Sequence, residues 1–173
     1  GYCLEDAKAI QAGLAGKEAF VALNRRYYHS TQTALEDLNQ RDVKRFIHVQ
    51  DQQSQQGMDE VQPKEVLENW MYANSVHLVD YFSLFGRGEV TEVTPHQKWE
   101  SGKTFNLTAS IEFSSGDEGL YEAIWEGPGP WAIAISTSEK RWEMRPLEKV
   151  VYQNAGERNL NEVTVHEWDV QAK

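Results

Sequence analysis

The sequence predicts an α+β fold, in which a largely antiparallel open sheet is covered on one face by helices. Apolar and polar residues alternate strictly from Thr104 to Phe113, which is typical of a half-buried strand. An apolar helix is predicted from Pro63 to Phe85, because proline suits the first turn and little of its surface is polar. Further short strands, separated by turn signals, are predicted over 120–126, 131–136, 141–144, 147–152 and 162–169.

The first residues have the pattern of an α/β unit. Leu4–Leu14 has apolar residues at helical spacing, and Glu18–Leu23 is a short apolar run typical of a buried parallel strand. Such a strand would be an unpaired edge, since no parallel partner precedes it. We therefore expect the chain to start in mid-fold, with residues 1–23 as the tail of one domain and residues 24–173 as a second domain.

The segment before the apolar helix predicts one helix, one strand and one loop. Helical spacing covers Ser30–Leu38, and partial alternation indicates a strand over Val43–Val49. Residues 50–58, which include five glutamines, predict a polar loop.

Composition and charge exclude several classes of protein. A net charge of −10 argues against a nucleic-acid-binding surface, which would be basic. The single cysteine excludes an internal disulfide and a cysteine-based zinc site, and it favours a reducing compartment. No apolar run is long enough to span a bilayer, so we expect a cytoplasmic protein without a membrane partner. No metal site is predicted, because the other histidines lack ligand spacing: His29, His48, His96 and His166.

Two stretches carry candidate site residues. His77 and Asp80 are three residues apart on the apolar helix, so their side chains are neighbours. Because buried ionisable groups need partners, this pair is either satisfied within the core or faces a cleft. Arg25 and Arg26 follow the strand predicted at Glu18–Leu23, at the edge where open α/β sheets bind ligands. The alternative is a solvated basic turn.

Three segments resemble, in order and spacing, the oxidoreductases named after glucose–fructose oxidoreductase, inositol dehydrogenase and the rhizopine-catabolism protein (the Gfo/Idh/MocA family). Leu4–Lys8 resembles the helix after that family's Glu-Lys-Pro motif, and Val21–Tyr27 resembles the last strand of its dinucleotide domain with the following arginine-bearing junction. Ser75–Asp80 resembles its active-site helix. The carboxyl half is similar to its sheet domain at Gly116, Trp131–Ile133 and Arg145–Glu148.

The resemblance implies the substrate-binding and oligomerisation domain of an NAD(P)-dependent dehydrogenase that acts on a sugar, nucleotide-sugar or cyclitol hydroxyl. The family's Rossmann half, with its glycine-rich phosphate loop, would be absent from this chain, together with most of the site for NAD or NADP. The expected partners are a small sugar-like substrate and further copies of the chain, which would associate through the open sheet face.

The resemblance also implies roles for particular residues. His77 would exchange the hydroxyl proton, and Asp80 would either orient His77 or cap neighbouring backbone. Ala73 stands where family members often have an aspartate, so an acid–base pair is not assured from that side. The remaining expected roles are substrate binding by Asn74, Arg26 and Tyr28, and cofactor binding by Arg25.

Two other interpretations stay open. A non-catalytic binding or assembly module could use the same helix-on-sheet architecture, and both Ala73 and the missing cofactor half favour it. A small cone-shaped fold with an internal ligand pocket is the third, but it would leave Glu18–Leu23 without a role.

Overall fold

A computed structural model of the chain describes residues 4–18, 22–54, 58–98, 100 and 106–165. The described strands are β1 (Phe46–Gln52), β2 (Val90–Pro95), β3 (Asn106–Phe113), β4 (Glu118–Ile124), β5 (Ala132–Ser136), β6 (Lys140–Met144), β7 (Val150–Asn154) and β8 (Asn161–Val163). They form one eight-stranded open sheet of order β2-β3-β4-β1-β5-β6-β7-β8. β1 and β4 are parallel, and the other neighbouring strands are antiparallel.

Two of the described helices pack on the sheet. The described α-helices are α1 (Leu4–Gly13), α2 (His29–Asn39), α3 (Lys64–Glu68) and α4 (Val76–Phe85), with 3₁₀ helices at Asn24–Tyr27 and Met58–Glu60 and a π-helix at Met71–Ser75. α4 packs against β1, and α2 packs against β6 and β7. Among the described residues, no helix combines the length and apolar character that a bilayer span requires.

The predicted α+β class and open sheet are confirmed. The alternation that predicted β3 matches its burial, since Leu107, Ala109, Ile111 and Phe113 are all buried. The helix predicted over Leu4–Leu14 is α1. The strand predicted over Glu18–Leu23 includes residues 19–21, which lie outside the described residues.

The prediction of one continuous helix from Pro63 to Phe85 is wrong. The chain leaves helical geometry at Asn69, where φ is −116° and ψ is 31°, and continues as a π-helix before α4 begins. The Asn69 side chain donates to the backbone oxygen of Glu65 at 2.8 Å, a contact that competes with regular helix hydrogen bonding. A π-helix has more residues per turn than an α-helix. The angular positions of side chains around a regular helix axis therefore do not apply to the residues before His77.

The strand predicted over Val43–Val49 is shifted, and the loop predicted over residues 50–58 begins too early. β1 ends at Gln52, and its buried positions are Ile47, Val49 and Asp51. Asp51 continues the inward-facing alternation although it is acidic, because hydrogen bonds satisfy its carboxylate inside the core. Because Asp51 is polar, the sequence pattern did not show that the strand continues to Gln52.

Aromatic side chains of the carboxyl half are buried rather than displayed on the open sheet face. Trp142 pairs with Ile135 on the helix-covered face, and Tyr121 and Trp125 are also buried. The open face carries polar contacts instead, such as His48 Nε2 at 3.2 Å from a Glu122 oxygen. Association through this face stays a prediction.

Candidate active site

His77 lies in the first turn of α4, directly after the π-helix Met71–Ser75. π-Helices are rare and occur frequently at functional sites. This one ends at Ser75, a fully buried residue whose hydroxyl hydrogen-bonds to Asp51 of β1. The sheet therefore holds the chain two residues before the histidine.

The His77 imidazole is half-buried, and its Nδ1 atom is buried without a hydrogen-bond partner among the described residues. Burial lowers the pKa of His77, and the positive charge of Arg25 lowers the pKa further, while the negative charge of Asp80 opposes both. At neutral pH the imidazole is therefore mostly uncharged, and it can accept a proton. Because an unpaired buried nitrogen costs free energy, His77 Nδ1 is a candidate for a contact beyond the described residues.

Arg25 stacks on an aromatic ring close to this histidine. Its guanidinium carbon lies 4.9 Å from the centroid of the Trp131 ring, and its Nη1 atom donates to Asn24 at 2.9 Å. The two residues line a cleft of about 480 Å³, which we call the Arg25 cleft. Its other lining residues are Tyr28, Pro130, Pro146, Leu147 and Glu148.

Two side-chain hydrogen bonds hold the backbone of Arg25 in place. The Tyr81 hydroxyl of α4 and the Thr31 hydroxyl of α2 each lie 3.2 Å from the backbone oxygen of Arg25 and donate to it. Burial raises the pKa of Tyr81, so its hydroxyl keeps the proton that it donates. Arg25 therefore projects from a backbone that two helices hold in place.

Arg26 and Asp80 bind each other. Arg26 donates to both carboxylate oxygens of Asp80, at 2.6 and 2.9 Å. No hydrogen bond joins Asp80 to His77 among the described contacts, so the expected orienting contact between them is not what the structure has. Asp80 acts on the imidazole through its charge. The arginine that faces the histidine is Arg25 rather than Arg26.

Asn74 and Tyr28, the other expected substrate-binding residues, have different neighbours. Asn74 Nδ2 donates to Gln53 Oε1 at 3.0 Å, just beyond the end of β1. Tyr28 is 6% exposed and lines the Arg25 cleft. The structure thus brings His77, Arg25 and Arg26–Asp80 together, with Asn74 three residues before the histidine.

Sequence reasoning missed three residues of this region. Trp131 is not among the site residues that the sequence predicts, although its ring lies under Arg25. Asp51 and Gln53 were placed in a loop, although Gln53 Nε2 donates to Asp51 Oδ1 at 3.3 Å and links it to Asn74. The inward parity of Asp51 with Ile47 and Val49 was the available signal for the buried carboxylate.

No family model and no curated protein matches the sequence. Solved structures share its fold: UDP-N-acetylglucosamine 3-dehydrogenase from Acidithiobacillus ferrooxidans superposes with a TM-score of 0.72 at 12% identity, covering 94% of this chain and 52% of that one. An NAD-binding oxidoreductase from Klebsiella pneumoniae gives 0.72 at 13%, covering 97% and 53%. Levoglucosan dehydrogenase in complex with NADH and L-sorbose gives 0.69 at 14%, covering 92% and 50%.

These neighbours define the class of fold. The chain shares the fold of one part of these oxidoreductases, which are of the Gfo/Idh/MocA type that the sequence resembles. It spans about half the length of each of the three structures.

Proposed function

We propose that this chain is the substrate-binding part of an NAD(P)-dependent oxidoreductase that acts on a hydroxyl of a sugar, nucleotide sugar or cyclitol. The observation that carries the proposal is the half-buried His77 imidazole, whose pKa is lowered and whose Nδ1 atom lacks a described partner, beside Arg25. The names of the similar structures, a nucleotide-sugar dehydrogenase and levoglucosan dehydrogenase with NADH, support the same class of chemistry.

His77 would be the general base. Oxidation of an alcohol requires removal of the hydroxyl proton, and an uncharged imidazole accepts a proton at neutral pH. Arg25 serves this step in two ways, since its charge keeps the imidazole neutral and would stabilise negative charge that develops on the substrate oxygen. Asp80, neutralised by Arg26, limits how far the pKa of His77 falls.

The residues around the Arg25 cleft fit a nicotinamide ring. Arg25 offers guanidinium donors, and Trp131 Nε1 is a buried donor without an acceptor among the described residues. Arg25 is the residue of this chain that would hold the ring. When bound, nicotinamide would supply the hydride acceptor.

We also propose that residues 1–23 belong to a dinucleotide-binding unit and residues 24–173 to the substrate-binding unit. The exposure of α1 supports this division, since Ile10 is 55% exposed and finds no cover among the described residues. Apolar residues of an amphipathic helix normally face another element.

The protein at its natural full length tests the proposal. NADH and NADPH are titrated against tryptophan fluorescence, and NAD⁺ or NADP⁺ is then incubated with a panel of sugars, nucleotide sugars and cyclitols while reduced nicotinamide is measured. We expect binding of one cofactor and turnover of one substrate group. A protein that binds neither cofactor would instead be the non-catalytic module.

A further inference from the structure

We propose that Asn74 presents its carbonyl oxygen, Oδ1, to the substrate as a hydrogen-bond acceptor, and that Asp51 sets this orientation through Gln53. The inference rests on the proposed function and adds a specificity determinant to it. Asn74 would touch the substrate, whereas Asp51 and Gln53 would be positioning residues.

Asp51 is held rigidly inside the core. It is 0% exposed, and its Oδ2 atom accepts hydrogen bonds from the Tyr121 hydroxyl at 2.8 Å, from Trp125 Nε1 at 3.0 Å and from the Ser75 hydroxyl. These donors come from β4, from the residue just after β4 and from the π-helix. Because Oδ2 receives three donors, Oδ1 is the carboxylate atom that faces Gln53.

The hydrogen bonds of Asp51 define the direction of the following amides. Asp51 Oδ1 accepts a hydrogen bond from Gln53 Nε2, at 3.3 Å. Gln53 Oε1 then faces Asn74 and accepts from its Nδ2 atom at 3.0 Å. These two hydrogen bonds together define the orientation of both amides.

Asn74 Oδ1 is consequently left for another donor. No described residue donates to this atom, and Asn74 is half-buried, three residues before His77. A substrate hydroxyl needs an acceptor for its own proton, and Asn74 Oδ1 would supply one on the helix that carries His77.

Asp51→Asn reverses the chain of amides. The new amide keeps Oδ1 for the three buried donors and turns Nδ2 to Gln53, which then flips and presents Nε2 to Asn74. Asn74 flips in turn and offers a donor to the substrate. We expect the KM of the substrate found in the turnover assay to rise about tenfold, the loss of one hydrogen bond, while kcat changes little.

A second substitution that restores the KM of Asp51→Asn would show that Asp51 acts by orienting the Asn74 amide and not only by packing in the core. In the Asp51→Asn background, Asn74→Asp restores an acceptor toward the substrate, because one carboxylate oxygen accepts from Gln53 and the other faces the site. We expect this double variant to recover most of the KM, although Asn74→Asp alone raises KM. A double variant as impaired as the sum of the two single changes would overturn the proposal.

A readout independent of turnover separates this inference from the proposed function. Solvent exchange of the Asn74 Nδ2 protons, followed by NMR, should speed up in Asp51→Asn, because they lose Gln53 Oε1. Unchanged exchange would overturn the proposal even if the protein is a dehydrogenase. If Asp51→Asn does not fold, Gln53→Leu decides: faster Asn74 exchange is expected, with Gln153→Leu, an exposed glutamine on β7, as the matched control.

Discussion

Arg26 and Asp80 form a bidentate ion pair that joins the 3₁₀ helix Asn24–Tyr27 to α4. The Asp80 side chain is 9% exposed and the Arg26 side chain 33%. Arg25 is adjacent to one member of the pair and His77 lies three residues from the other. The pair therefore sets the position of the stacked arginine relative to the imidazole.

Removal of Arg26 should destabilise the fold. Arg26→Met leaves the nine-tenths buried Asp80 carboxylate without its partner, and we expect the free energy of unfolding to fall by about 2–3 kcal/mol. Urea unfolding measures this loss. Arg141→Met is the matched control, because its pair with Glu143 is exposed and should change stability by less than about 0.5 kcal/mol. Equal losses in both variants would contradict the role assigned to the pair.

The elements that the sequence predicted correctly are those whose pattern is local. The alternation from Thr104 to Phe113 predicted β3. The pattern predicts this strand because its apolar residues recur at every second position, and these are the buried positions. The resemblance selected Arg25, Arg26, His77 and Asp80, and the structure brings them into one region, while their roles stay predictions.

The sequence pattern does not predict which side chains pair across long distances in the chain. Which arginine binds Asp80 depends on the course of the 3₁₀ helix, since Arg25 and Arg26 are adjacent and of the same type. The break at Asn69 likewise depends on a side-chain contact within a helix that propensity alone would continue. Asp51 was assigned to a loop because acidic residues are seldom buried, so a buried carboxylate has the same sequence pattern as a loop residue.

The pKa of His77 should lie below its ordinary value of about 6.5. Arg25→Gln removes one of the causes, so we expect the pKa of His77 to rise in this variant. NMR titration of the imidazole C–H resonances measures both values. Arg141→Gln, on the open sheet face, should leave the pKa unchanged. A wild-type pKa at or above the ordinary value would refute the electrostatic account of the site.

The same shift has a consequence for stability. Because the folded chain holds His77 with a lowered pKa, the unfolded chain takes up the proton first as the pH falls. Stability is therefore unaffected by His77 above about pH 6.5, falls as the pH drops below this value, and levels off below the folded pKa. His77→Gln lacks this loss, so its unfolding midpoint relative to wild type should improve on acidification. A difference independent of pH would mean that the shift is absent.

Substitution of His77 tests the proton role directly. His77→Ala in the protein at its natural full length should lower turnover of the identified substrate by about a hundredfold or more. His96→Ala is the matched control, since His96 is exposed and contacts Ser110 at 2.8 Å on β3. Its turnover should equal that of wild type. If His77→Ala turned over normally, the histidine would have no part in the chemistry.

Arg45 connects the ends of two helices from inside the core. It is 2% exposed, and its Nη1 atom donates to the Phe85 backbone oxygen at 2.9 Å, where α4 ends. Its Nη2 atom donates to the Leu38 backbone oxygen at 2.8 Å, one residue before α2 ends. The last carbonyls of a helix have no partner within the helix, so a single guanidinium satisfies both ends. Burial lowers the pKa of Arg45 and Arg87 adds to the effect, while Asp117 opposes it.

Arg45→Met should therefore cost more stability than loss of an exposed arginine. Two buried carbonyls lose their donors, and we expect the free energy of unfolding to fall by about 3 kcal/mol or more. Arg45→Lys should recover only part of this, because one ammonium lacks the fork that reaches both oxygens. Arg41→Met, which removes solvent-screened pairs with Asp37 and Glu139, should cost much less stability in the same urea titration. If Arg45→Met were as stable as Arg41→Met, the two helix ends would not depend on this contact.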